Sequence, residues 1–138
     1  MIYVDTSLLL PVYVPEERSE EANRLLETVS SIVISDLTFA EFHVGLARKV
    51  KLGTLSASQS GAAQAALDSH LRDGVLQRVA LQSSHYDAAG RMASKAAGML
   101  RTLDALHVAV AAGLGSPMAT FDGRLAEAAR DLGFEVLP

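Results

Sequence analysis

The chain is 138 residues long, 49% hydrophobic and 20% charged, which makes one domain with a buried core and excludes a disordered segment. It has no cysteine, so disulfides, thiolate metal sites and cysteine nucleophiles are excluded and a cytoplasmic location is favoured. The net charge of -4 speaks against a strongly basic nucleic-acid binder, although four acids committed to bound metal would leave the remainder neutral.

Met1 is followed at once by Ile2-Tyr3-Val4-Asp5, without the basic start of a secretory leader. Ile2 to Val4 is a short apolar strand, and Ser7 to Tyr13 a short helix stopped near Pro15. Ser19 to Val29 is helical, with Ala22, Leu25, Leu26 and Val29 on one face, and Ile32 to Ser35 is a buried strand. Leu37 to Lys51 is a helix with Phe39, Phe42, Leu46 and Val50 inward and Gly53 just past its end. Ser56 to Asp73 is a helix ended by Gly74, and Val75 to Leu81 is a third strand. Ser84 to Met99 is the next helix, with Tyr86, Ala89, Met92, Ala93 and Ala96 on one face. Thr102 to Leu114 is another, stopped by Gly113 and Gly115; Asp104 and His107 interrupt it, and it is too short to span a bilayer. Met118 to Phe121 is a strand, Arg124 to Leu132 a helix, and Phe134 to Leu137 the last strand. Short apolar strands alternating with helices predict an α/β fold with a parallel sheet covered on both faces, in a single domain over residues 1–138.

Most of the sixteen acids read as solvated surface, the run Glu16, Glu17, Glu20 and Glu21 above all. Four fall elsewhere. Asp5 and Asp122 each follow a strand directly, and in an open parallel sheet the carboxyl ends of strands form the ligand-binding edge. Glu41 and Asp104 lie early in helices, whose N-termini reach that same edge because crossover helices run antiparallel to their strands. Each acid also has a bland reading. Asp5 and Asp122 could cap the helices after them, Thr38-x-x-Glu41 fits a capping box, and Asp104 could complement the helix dipole behind a Thr102 cap. Four independent caps on one rim is the less economical account. Hard carboxylate ligands suit Mg²⁺ or Mn²⁺, and such an ion could polarise a phosphate, acidify a bound water and stabilise a leaving oxygen.

At these residues the chain resembles a PIN domain, and within that family a VapC-type toxin ribonuclease of a toxin–antitoxin pair. Tyr3-Val4-Asp5-Thr6-Ser7 resembles the family's opening strand and acid, and Ser35-Asp36-Leu37-Thr38-Phe39-Ala40-Glu41 its second motif. Leu100-Arg101-Thr102-Leu103-Asp104-Ala105-Leu106-His107 resembles the third and Ala119-Thr120-Phe121-Asp122 the fourth. The resemblance implies a three-layer α/β/α sandwich with a parallel sheet of four or five strands. It implies an endoribonuclease that uses Mg²⁺ or Mn²⁺ to hydrolyse RNA phosphodiester bonds. Asp5, Asp104 and Asp122 would face the metal, Glu41 would complete the site, and Thr6, Ser7 and Thr120 would hydrogen-bond the carboxylates. A cognate antitoxin would cover the rim, and a homodimer would bury an apolar face near the start of the chain. Gly123 departs from the pattern, since many relatives carry a larger, often basic residue there. That leaves Arg124 as the nearest cation.

Two rivals remain. A non-catalytic PIN-like module binding RNA or protein would be favoured by loss of a rim acid, and all four are present. A phosphotransfer receiver would need an acid pair after the first strand and a late Lys, but Asp5 stands alone and no Lys follows Lys95. The four His show no metal-ligand spacing, and His107 reads as a packed or hydrogen-bonded structural residue. Neither a Ser-His-acid order nor a dinucleotide or Walker-type loop is present. Arg48, Lys49 and Lys51 read as complements to a helix dipole, whereas Arg91, Lys95, Arg101 and Arg124 are expected nearer the acids.

Overall fold

The structure is a computed structural model that describes residues 1–138. In chain order the elements are β1 (Ile2–Val4), α1 (Thr6–Tyr13), α2 (Ser19–Glu27), β2 (Ile32–Ser35), α3 (Asp36–Lys51) and α4 (Ala57–Arg72), then β3 (Leu76–Val79), α5 (Ser83–Lys95), α6 (Thr102–Leu114), β4 (Met118–Ala119), α7 (Gly123–Asp131) and β5 (Val136–Leu137). The five strands form one sheet in the order β3-β2-β1-β4-β5, and every neighbouring pair is parallel.

Side chains alternate across a strand, and β1 shows what this does here. Ile2 and Val4 face a core built with Leu8, Leu9, Ala22, Phe42, Leu46 and Leu67 from α1 to α4. Tyr3 faces the other way, onto Val108, Val110, Leu125 and Ala129 of α6 and α7. A smaller cluster of Ala89, Ala105, Leu106 and Ala109 fastens α5 to α6. The result is the expected three layers, with α1 to α4 on one face of the sheet and α5 to α7 on the other. No helix is long and apolar enough to cross a membrane.

The strand order reverses at β1. The chain first steps outward to β2 and β3, then returns to lay β4 on the other side of β1 and β5 beyond it. A receiver domain has the order 2-1-3-4-5, so this topology removes that rival. The reversal also opens a crevice at the carboxyl ends of β1 and β4, the place where doubly wound sheets hold ligands.

Several boundaries differ from the expected ones. α3 begins at Asp36, not Leu37, because the Ser35 side chain caps it by accepting from Thr38 N at 3.1 Å. Glu41 therefore lies beyond the first turn, and the Thr38–Glu41 capping box does not form. α5 stops at Lys95, not Met99: Ala96 leaves helical geometry at ψ 136°, and Met99 is 97% exposed. Ala96, Ala97 and Gly98 offer that segment no apolar anchor and Gly98 disfavours helix. Tyr86, expected on the inward face of α5, is 54% exposed. The edge strand β3 contracts to Leu76–Val79, with Gln77 and Arg78 facing solvent.

Candidate active site

β1 passes directly into α1, so Asp5 sits at the junction and caps the helix by accepting from Leu8 N at 3.3 Å. Asp122 does the same for α7, accepting from Arg124 N at 2.9 Å and Leu125 N at 3.2 Å. The capping readings of both residues therefore hold. Both also line one cavity of about 500 Å³ at the strand reversal, together with Glu41 and Asp104. Capping and membership of the site are compatible, because a helix N-terminus at the sheet's carboxyl edge is where the crevice opens. Asp104 lies in the first turn of α6, but Thr102 is inside that helix and Arg101 occupies the cap position without a side-chain bond.

Three hydroxyls organise the acids. Ser7 Oγ donates to Asp5 at 2.8 Å and accepts from Phe121 N at 2.8 Å and Asp122 N at 3.1 Å. Thr120 Oγ1 lies 3.1 Å from Ser7 Oγ and accepts from Asp122 N at 3.0 Å. Thr6 Oγ1 donates to Glu41 Oε2 at 2.6 Å. The turns after β1 and β4 are thereby tied together at the crevice.

His107, one turn after Asp104 on α6, reaches the same place. Its Nε2 lies 3.0 Å from Glu41 Oε2, and its Nδ1 lies 2.7 Å from the Tyr3 hydroxyl. The sequence reading of His107 as a packed, hydrogen-bonded residue is right as far as it goes, but it missed that the partner is a rim acid. Two signals carried that link: the three-residue spacing from Asp104, which puts both on adjoining faces of a helix, and a Tyr in a buried strand, whose hydroxyl needs a partner.

The electrostatics differ from acid to acid. Burial pushes the Asp5 carboxyl above its ordinary value, against the opposing pull of His107 and the Ser7 hydrogen bond. Burial likewise raises Asp104, and the negative charges of Asp122 and Glu41 raise it further. For Glu41, burial acts upward, but hydrogen bonds from His107 and Thr6 and the charge of His107 outweigh it and hold the carboxyl below its ordinary value. Burial also holds the Tyr3 hydroxyl protonated far above the usual phenol range.

The acids ring the cavity without meeting at a point: no three His, Asp or Glu side chains are close enough together to grip one ion. As donors they are hard oxygens, and the repulsion felt at Asp104 is of the kind a divalent cation relieves. Arg48 of α3 lines the same cavity and forms no salt bridge. Arg124, expected as the nearest cation, adjoins Asp122 through its backbone N–H at 2.9 Å and lines a second cavity with Met99, Glu127 and Asp131.

The chain is similar over its full length to the Mycobacterium tuberculosis toxin VapC20, described as sarcin–ricin-loop cleaving, with 22% identity, TM-score 0.75 and 100% of each chain covered. It is similar to FitAcB from Neisseria gonorrhoeae, with 18% identity, TM-score 0.74 and 100% and 97% coverage. A toxin–antitoxin complex from Klebsiella pneumoniae matches with 16% identity, TM-score 0.72 and 100% and 97% coverage. At these identities the likeness is one of fold. No curated protein matches the sequence. The model of the PIN domain family matches residues 2–131, which is nearly the whole chain, and the protein therefore belongs to the PIN domain family.

Proposed function

We propose that this PIN domain is a metal-dependent endoribonuclease, the toxin of a type II toxin–antitoxin pair, acting in the cytoplasm. The observation that carries the reading is the gathering of Asp5, Glu41, Asp104 and Asp122, far apart in sequence, around one cavity at the sheet's strand reversal. The toxin reading draws support from the fold shared with VapC20, described as a sarcin–ricin-loop cleaving toxin, and with a toxin–antitoxin complex. The protein's partner would be a cognate antitoxin that covers the acidic rim.

The four carboxylates would hold Mg²⁺ or Mn²⁺. Mg²⁺ binds through one or two carboxylates and keeps several waters, so a ring of acids that does not converge on a point still suits it. When bound, a divalent cation supplies Lewis acidity toward a phosphate and acidifies water near neutral pH. The chain's own part is placement. Ser7 fixes Asp5 and the Asp122 turn, Thr6 and His107 fix Glu41, and Arg48 offers an unpaired cation to an RNA phosphate within the cavity. The reading requires no nucleophilic side chain, and the Thr6 and Ser7 hydroxyls that line the cavity are engaged with Glu41 and Asp5.

The test is mapping of RNA ends across total cellular RNA after brief induction of the wild type and of Asp5→Asn. Discrete new ends that appear with the wild type and vanish with the variant are the expected result. Identical end profiles from two equally expressed, folded proteins would reject the ribonuclease.

A further inference from the structure

Glu41 is held from behind by a chain of buried groups. Tyr3 is fully buried, and its hydroxyl lies 2.9 Å from Ser35 Oγ, 3.2 Å from Thr38 Oγ1 and 2.7 Å from His107 Nδ1. Ser35 is the cap of α3 and Thr38 belongs to its first turn, so this one hydroxyl joins β1, α3 and α6. His107 is 3% exposed and continues the chain from Nδ1 through Nε2 to Glu41. A carboxylate can only accept, so Nε2 carries the proton and donates, whatever the charge on the ring. The Tyr3 hydroxyl can donate or accept, and so serves Nδ1 in either state.

The two donors to Glu41 converge on the same atom. Thr6 Oγ1 and His107 Nε2 both bond Oε2, and Oε1 has no protein partner. Two bonds from α1 and α6 onto one oxygen of a residue on α3 leave the carboxylate little freedom to rotate. One oxygen is committed to the protein and the other is left for a ligand in the cavity.

We infer that His107, backed by Tyr3, is a positioning residue that fixes Glu41 with Oε1 free to reach a bound divalent cation. This rests on the metal-dependent reading above and adds to it a specific support behind the acids. Outer residues that orient a metal's ligands typically contribute 10–100-fold to metal affinity or activity.

The experiment compares wild type, His107→Leu, His107→Gln, Tyr3→Phe and Asp5→Asn by calorimetric titration with Mn²⁺ alone and by kcat and KM on a cleaved RNA. Circular dichroism and thermal melting report the fold. His107→Leu is expected to weaken Mn²⁺ binding by about tenfold or more and to lower kcat, with KM for RNA unchanged, because His107 is nearly fully buried and its two ring nitrogens are engaged with Tyr3 and Glu41. His107→Gln keeps an N–H donor toward Glu41 and is expected to recover most of both quantities. Tyr3→Phe keeps His107 but frees its ring, and a smaller loss of Mn²⁺ affinity is expected. A folded His107→Leu with wild-type Mn²⁺ affinity and kcat, beside an Asp5→Asn that loses both, overturns the inference and leaves the ribonuclease standing. If His107→Leu does not fold, Tyr3→Phe decides: weaker Mn²⁺ binding supports the inference and unchanged binding overturns it. A wild type that neither binds Mn²⁺ nor cuts RNA overturns the ribonuclease and this inference together.

Discussion

Ser7 donates to Asp5 and accepts from Phe121 N and Asp122 N, so one hydroxyl joins the two turns that carry Asp5 and Asp122. Ser7→Ala leaves Phe121 N without its acceptor, while Asp122 N keeps Thr120 Oγ1, and urea unfolding should show a loss of about 1–3 kcal/mol. An unchanged midpoint would mean that water replaces the hydroxyl at no cost. Asp104 behaves differently. Its carboxyl is raised above 3.8 by burial and by the charge of Asp122, so the folded, metal-free protein holds that proton more tightly than the unfolded chain does. The associated stability is present below the ordinary value and is lost as pH rises through the raised one. Metal-free Asp104→Asn should therefore melt at or above the wild-type temperature at neutral pH, with the advantage gone in acid, while it binds Mn²⁺ more weakly. A lower melting temperature at neutral pH would contradict the repulsion. Asp5 was legible in the sequence because it follows a short apolar strand directly, and Asp122 because it follows a short apolar run, although β4 itself ends at Ala119 and not at Phe121. The Glu41–His107 pair was not, because it joins two helices whose mutual placement depends on the packing of the whole domain.

At the scale of the element, α3 brings several functions to one place. Its cap Ser35 bonds into the Tyr3 network, Glu41 enters the acid ring, and Arg48 follows two turns later on the same cavity. Composition could suggest only that Arg48 complements a helix C-terminus, since nothing in the sequence says which way a side chain near the end of a helix turns. Arg48 lines the cavity of the acids, whereas Arg124, two residues after Asp122, lines another. Arg48→Ala should weaken RNA binding several-fold at low salt, with the deficit shrinking as salt rises, and Arg124→Ala should do so less. Fluorescence anisotropy with a labelled RNA across a salt series checks the order of the two, and a larger effect of Arg124→Ala would reverse the assignment. The overestimated C-terminus of α5 has a related cause. Alanines prolong a helical pattern in the sequence, but at Ala96 and Ala97 they supply too little buried surface to hold a further turn.

At the scale of the whole molecule, the alternation of strands and helices was readable along the entire chain, and with it the parallel sheet. The order β3-β2-β1-β4-β5 was not, since periodicity gives the elements and not the side of β1 on which the chain returns. That return creates the crevice that the four acids line. The homodimer expected through the early helices would cover exposed apolar side chains such as Leu52, which lies just past the end of α3 and is 67% exposed. Light scattering should give twice the 14.6 kDa chain mass, and a monomer at high concentration would remove that expectation. The central claim is that the gathered carboxylates act through a divalent cation to cut RNA. Its most direct measurement is cleavage of a panel of structured RNAs by purified, antitoxin-free protein in Mg²⁺, in Mn²⁺ and in chelator, beside a folded Asp5→Asn. Cleavage that needs the cation and falls by orders of magnitude in Asp5→Asn is the predicted result, and cleavage that persists in chelator or is undiminished in Asp5→Asn would contradict it.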